Sequence, residues 1–148
     1  MNYLLDTNAV IALLRNRPAR VRERFRAAEI AGEYLAVPSV VLFELWYGVA
    51  RSSHVSENTE RLRVFLSGSV DPLSFDDEDA KAAGRVRAVL EKSGTPIGPY
   101  DLLIAGQALA RGLTVVTANA AEFGRVPGLA SADWTNEPAD ASGGAARP

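Results

Sequence analysis

Tyr3-Leu4-Leu5-Asp6-Thr7-Asn8-Ala9-Val10-Ile11-Ala12-Leu13-Leu14 decides how the rest of the chain is read. The unbroken apolar run Tyr3-Leu4-Leu5 fits a strand buried on both faces, and the residues from Ala9 to Leu14 fit a helix that starts within a turn of it. The two patterns meet at a carboxylate, Asp6. The same change of period recurs along the chain. Val21, Phe25 and Ala28 fall at helical spacing and stop at Gly32; Tyr34 to Val37 reads as a second strand, closed by Pro38. Ser39 is then expected to cap a helix that reaches about Ala50. Thr59 to Leu66 is helical by its apolar spacing, and residues 70–75 form a short third strand, placed at an edge by Pro72. Asp76, Asp77, Glu78 and Asp79 suit the positive end of a helix that carries Ala82, Val86, Val89 and Leu90 and ends at Gly94. Asp101 to Arg111 is apolar almost all round, which predicts a buried helix closed by Gly112, and Leu113 to Thr117 is the fourth strand. Strands interleaved with helices predict an α/β fold with a parallel sheet covered on both faces. There is no internal repeat.

A chain of 148 residues fits one domain, and at that length about 70% of the unfolded surface can be removed from water. We assign residues 1–135 to the domain and read 136–148, rich in Pro, Ala, Gly and Ser, as a disordered tail. No apolar run approaches the roughly 20 residues of a membrane span, and Met1 to Asp6 lacks the basic start and cleavage site of a signal peptide. The expectation is a cytoplasmic protein with no membrane partner. The absence of cysteine excludes disulfides, thiolate zinc sites and cysteine nucleophiles, and a single histidine, His54, excludes histidine-rich metal sites. Any metal must be held by oxygen, which points to Mg2+ or Mn2+. A net charge of −2 gives no global attraction to nucleic acid, yet Arg15, Arg17, Arg20, Arg22, Arg24 and Arg26 crowd one stretch. That stretch is either a phosphate-contacting patch, with Arg15, Arg17 and Arg20 as the substrate-binding candidates, or a solvated helix face.

In a parallel α/β sheet, sites form beyond the carboxyl ends of the strands. Asp6 directly follows the first strand and Asn119 lies just past the fourth. Glu44 sits in the helix after the second strand, and Asp101 heads the helix before the fourth. Each has a plainer alternative. Asp6 can be a helix cap, Glu44 can face solvent, and Asp101 can cap its own helix. Glu44 is nevertheless the only charge in Val40-Val41-Leu42-Phe43-Glu44-Leu45-Trp46-Tyr47, and glutamate is almost never buried without a partner. Acids forced together raise one another's pKa values unless a cation neutralises them. A divalent metal resolves that conflict and also serves phosphate chemistry.

Other chemistries lack their residues. No Gly-rich loop ending in Lys-Ser/Thr supports nucleotide hydrolysis, and no Gly-x-Ser-x-Gly elbow is present. His54 stands among Ser52, Ser53 and Ser56 in an expected loop, and the aromatic residues fall at core-like positions. A receiver-type phosphoacceptor needs a lysine near its aspartate, but Lys81 and Lys92 share one helix.

Four segments in order resemble the PIN domain, and more narrowly the VapC-type toxins of bacterial toxin–antitoxin pairs. They are Leu4-Leu5-Asp6-Thr7-Asn8, Phe43-Glu44-Leu45-Trp46-Tyr47-Gly48, Ile97-Gly98-Pro99-Tyr100-Asp101-Leu102-Leu103-Ile104-Ala105 and Val115-Val116-Thr117-Ala118-Asn119. Glu122-Phe123, Val126-Pro127-Gly128-Leu129 and Asp133-Trp134 resemble the same family's C-terminal end. The resemblance implies a three-layer α/β/α fold with a mostly parallel sheet of four to five strands. It implies a Mg2+- or Mn2+-dependent ribonuclease, commonly a homodimer, held inactive by a small VapB-like antitoxin. On the same basis Asp6 and Asp101 are the principal metal ligands, Glu44 completes the metal site or orients water, and Asn119 stands where many members carry a fourth acid. Glu122 is expected on the surface of a short helix, with substitution for that acid as the alternative. The rival from another class is a catalytically silent module that binds RNA or protein.

Overall fold

The computed structural model describes residues 1–136, so the expected tail lies, but for Asn136, outside the described residues. The chain runs β1 (Asn2–Leu5), α1 (Thr7–Arg15), α2 (Ala19–Ile30), β2 (Tyr34–Pro38), α3 (Ser39–Ala50) and α4 (Val55–Leu66). It continues through β3 (Asp71–Leu73), α5 (Asp77–Lys92), α6 (Pro99–Arg111), β4 (Thr114–Val116), α7 (Ala120–Phe123) and β5 (Ser131–Ala132). The strands form one five-stranded sheet in the order β3-β2-β1-β4-β5, and every pair is parallel. Leu4, Leu5, Ala36, Val37 and Val115 are fully buried, as central strands with helices on both sides require.

The topology fixes where a site can form. Successive crossovers step from β1 to β2 to β3 in one direction, then the chain returns to place β4 on the other side of β1. Right-handed crossovers in opposite directions put α1–α4 over one face and α5–α7 over the other. The strand order therefore reverses between β1 and β4, where crevices open at the carboxyl ends. The Asp6 N–H donates to the Val116 carbonyl at 3.1 Å, so Asp6 sits on the lip of that crevice.

Several local expectations are met with a twist. Pro72 does lie on an edge strand. Asp76 caps α5 in a capping box, with Asp79 returning the bond to the Asp76 N–H. Ser39 does not cap α3: it is the first helical residue, Pro38 occupies the cap, and the Ser39 hydroxyl instead donates to the Leu73 carbonyl at 3.2 Å. That bond ties α3 to β3. The fifth strand went unrecognised in sequence because two residues carry no period. Helices α5 and α6 approach so closely that a Cβ on Gly106 would lie 2.5 Å from the Ala83 backbone; only glycine permits that contact.

Candidate active site

Asp6 is nearly buried, at 5% exposure. Its carboxylate caps α1 by accepting from the Ala9 N–H at 2.8 Å, so the capping reading is correct, and it is not the whole account. Burial pushes the Asp6 carboxyl up; hydrogen bonds from the Thr117 hydroxyl and the Ala9 N–H pull it back, and the charges of Glu44 and Asp133 push it up again. Two acids thus act on a third across the strand ends. The Thr117 oxygen also accepts the Asn119 N–H at 2.8 Å, which links the end of β1 to the loop after β4.

Glu44 projects from α3 and is half-buried, so it is not a purely solvent-facing residue. Its Oε1 accepts the Thr7 hydroxyl at 2.6 Å. Asp101 stands at the third position of α6 but makes no capping bond; the capping alternative fails there. Its pKa is pushed up to about 7 by burial first, then by the charge of Glu122 and a hydrogen bond to it, then by Asp6 and Glu44. Glu122 moves the other way. The Gly98 N–H at 2.7 Å and the Asn119 amide at 2.8 Å hold it below the usual carboxylate range. Of the two, Asp101 is the one whose surroundings favour the protonated form.

These placements revise the expectation for Glu122. It is a half-buried member of the cluster, and Asn119 serves it as a hydrogen-bond donor. Asp133, just past β5, is a further acid that Asp6 feels, and Thr7 and Thr117 are the hydroxyls that orient the carboxylates. Sequence reasoning missed these roles. The available signals were a hydroxyl within two positions of each strand-end polar residue and an acid three positions after Asn119.

Of the arginine candidates, Arg15 ends α1 and lines a furrow that also holds Glu44. Arg17 lies in the turn before α2 and Arg20 on α2, and neither is among that furrow's lining residues. His54 precedes α4 at the surface, as expected of a loop residue.

The acceptors of the cluster are all carboxylate oxygens, from Asp6, Glu44, Asp101 and Glu122, with the Asn119 amide nitrogen donating to the last of them. None of these four acids has an ion-pair partner among the described residues. Nor do three of them already close on one ligating point among the described residues, because Asp101 is turned to Glu122 and Glu44 to Thr7. Crowded carboxylates are a donor set for a hard divalent ion, and the upward shifts of Asp6 and Asp101 come from burial and from neighbouring acids whose charge such an ion would offset.

The PIN domain model matches residues 3–129. Among known proteins, the tRNA(fMet)-specific endonuclease VapC of Shigella flexneri is 42% identical over 135 residues, covering 91% of this chain and 99% of its own. Its namesake from Salmonella typhimurium is 40% identical, over 90% and 98%. Among solved structures, DNA-bound VapBC from Salmonella typhimurium superposes with a TM-score of 0.83 at 40% identity, covering 90% of this chain and 98% of that one. VapBC2 from Rickettsia felis, bound to a promoter DNA fragment, gives 0.84 at 34%, covering 90% and 99%.

Proposed function

The chain belongs to the PIN domain family, and on that premise we propose that it is a divalent-metal-dependent endoribonuclease, the toxin of a VapBC-like toxin–antitoxin pair. The observation that carries the reading is the gathering of Asp6, Glu44, Asp101 and Glu122 at the reversal point of the sheet with no ion pair to any of them among the described residues. Asp6 and Asp101 would hold Mg2+ or Mn2+, with Glu44 beside them. When bound, the ion supplies positive charge against the phosphate and a lower pKa for water.

The protein's own residues prepare that chemistry. The Ala9 N–H and the Thr117 hydroxyl fix the Asp6 carboxylate in one orientation, and the Thr7 hydroxyl does the same for Glu44. Asp101 would have to be ionised to serve as a ligand, and Glu122 is the neighbouring carboxylate whose charge and hydrogen bond raise its pKa. Asn119 and the Gly98 N–H keep Glu122 ionised and in place, which also anchors the start of α6. Hydrolysis adds water across one phosphodiester P–O bond, leaving a phosphate on one fragment and a hydroxyl on the other.

RNA is the substrate in this reading, and tRNA(fMet) is the first to offer, since the Salmonella and Shigella relatives carry that specificity in their names. A small VapB-like antitoxin is the partner, by analogy with the VapBC complexes of the relatives, and the active unit is a homodimer acting in the cytoplasm. No helix among the described residues is long and apolar enough to cross a membrane. The test is cleavage of tRNA(fMet) and of bulk RNA with Mn2+, with Mg2+ and in excess EDTA. Cleavage that needs either ion is expected. Full activity in EDTA would overturn the metal reading, and manganese binding without any cleavage would favour the silent module.

A further inference from the structure

The furrow between α1, α3 and α4 begins at Glu44 and is lined by Arg15, Gly48, Arg51, Asn58 and Arg61 over an apolar floor that includes Leu45 and Leu62. Three guanidiniums come to it from the ends or faces of three different helices. None has a carboxylate partner among the described residues. Elsewhere, arginines with acids in reach take them: Arg63 pairs with Glu60, Arg87 with Glu91, and Arg111 with Asp76 and Asp79. Arg51 is also held over the Tyr47 ring, 5.3 Å from its centre, an arrangement that orders the guanidinium without neutralising it.

Gly48 gives an independent sign. Glycine weakens a helix interior, and here packing does not demand it, since a Cβ at Gly48 would meet nothing within 4 Å. Its missing side chain keeps the furrow floor open. Like charges gathered round an open furrow call for an anionic occupant, and the furrow leads to the acid cluster through Glu44. The furrow encloses about 310 Å³, room for part of one strand and far short of what a duplex needs.

We propose that this furrow seats the sugar–phosphate backbone of a single-stranded RNA segment, with Arg15, Arg51 and Arg61 contacting phosphates and Glu44 marking where the strand enters the acid cluster. The proposal rests on the nuclease reading and adds the path of the substrate and the residues that hold it. Phosphate contacts release counterions, so each one lost lowers both the affinity and its dependence on salt.

The experiment measures anisotropy of a fluorescein-labelled single-stranded RNA bound to the full chain in EDTA, across a salt series, beside Mn2+-dependent cleavage by the same proteins. Arg51→Gln and Arg61→Gln should each weaken binding about 5-fold near 0.1 M salt and reduce the log–log salt slope by about 0.7. Gly48→Gln, which fills the furrow from an open position, should weaken binding while the melting temperature holds. Arg85→Gln on α5, away from the furrow, should change neither, and a matched duplex should bind more weakly than the single strand. Unchanged affinity and slope in the Arg51 and Arg61 variants would overturn the proposal, as would an equal loss in Arg85→Gln. If the wild type cuts RNA while the furrow variants bind and cut like it, the furrow assignment falls and the nuclease reading stands. If the wild type never cuts but the furrow variants lose RNA, the reverse holds. Variants that keep RNA yet lose a helical VapB-like peptide would give the furrow to a protein partner, again against the proposal.

Discussion

Two buried aspartates in this molecule meet opposite fates. Asp79 on α5 is fully buried, at 0% exposure, and Asp6 at the end of β1 nearly so, at 5%. Around Asp79 the chain supplies every answer itself: Arg111 Nε at 3.1 Å and Nη2 at 2.9 Å, Gln107 Nε2 at 3.0 Å and the Asp76 N–H at 2.9 Å. Burial alone would raise its pKa, but the Arg111 and Asp76 hydrogen bonds, the Arg111 charge and Gln107 together hold it below the usual range. Around Asp6 the chain supplies one N–H, one hydroxyl and more negative charge, and the pKa goes up. A buried acid with its cation built in belongs to the scaffold. A buried acid set against other acids needs its cation from outside. The contrast separates structural from functional carboxylates without reference to any relative.

The sharpest way to break the comparison is to neutralise one acid of each kind. Asp6→Asn or Asp101→Asn should cut RNA cleavage by more than about 100-fold, beyond the usual loss from an outer-shell change, while the metal-free melting temperature stays level or rises. A folded variant with wild-type cleavage would place the chemistry elsewhere. Asp79→Ala should do the converse. Breaking a buried pair from one side costs about 3 kcal/mol, the low end of the usual range because the Arg111 side chain keeps 31% of its surface exposed. Urea denaturation would read this, with cleavage per folded molecule unchanged; a neutral Asp79→Ala would mean the pair contributes little.

A smaller effect is expected at Asn119, whose amide donates to Glu122. Asn119→Ala should slow cleavage about 10-fold and raise the pH below which activity falls, because Glu122 loses a hydrogen bond that lowers its pKa; a variant as inactive as Asp6→Asn would make the amide a direct participant. The smallest effect is in the pH dependence of stability, where the two acid types should show slopes of opposite sign. Asp79, held below 3.8, lends stability that is present above that value and fades as pH falls through its lower folded pKa. Asp101, raised from 3.8 to about 7, keeps a proton in the metal-free fold that the unfolded chain has lost. Stability should therefore decline as pH rises through that window, and Mn2+ should remove the decline. Melting curves in EDTA that instead rise steadily across the window would contradict the Asp101 assignment.

Most of the scaffold was legible because its signals are local. Unbroken apolar runs marked β1, β2 and β4; helical spacing marked α2 and α5; Pro72 marked an edge; and the acids from Asp76 to Asp79 marked a helix N-terminus. Ser39 was misread because the sequence signal for a cap is identical to that for a hydroxyl facing the Leu73 carbonyl. The two-residue β5 could not be read at all, since its existence depends on β4 offering Val115 and Val116 as partners. Within the site, Asp6, Glu44 and Asp101 stood out as charges in apolar surroundings. Glu122 did not, because an acid on a short polar helix looks like surface until its neighbours across the loop are known.

By itself, then, the sequence determined the alternation of strand and helix, the oxygen-only ligand set and the acids that interrupt apolar runs, all properties of residue type and spacing. The tertiary structure decided which polar groups share a space: Glu122 with Asp101, Asn119 and Gly98; Thr7 with Glu44; Arg15 with Arg51 and Arg61; and Asp79 with its own arginine. Those pairings join residues brought together only when the sheet reverses its strand order and the helices pack over it. Charge, unlike hydrophobic periodicity, takes its meaning from what lies within a few ångströms of it in space.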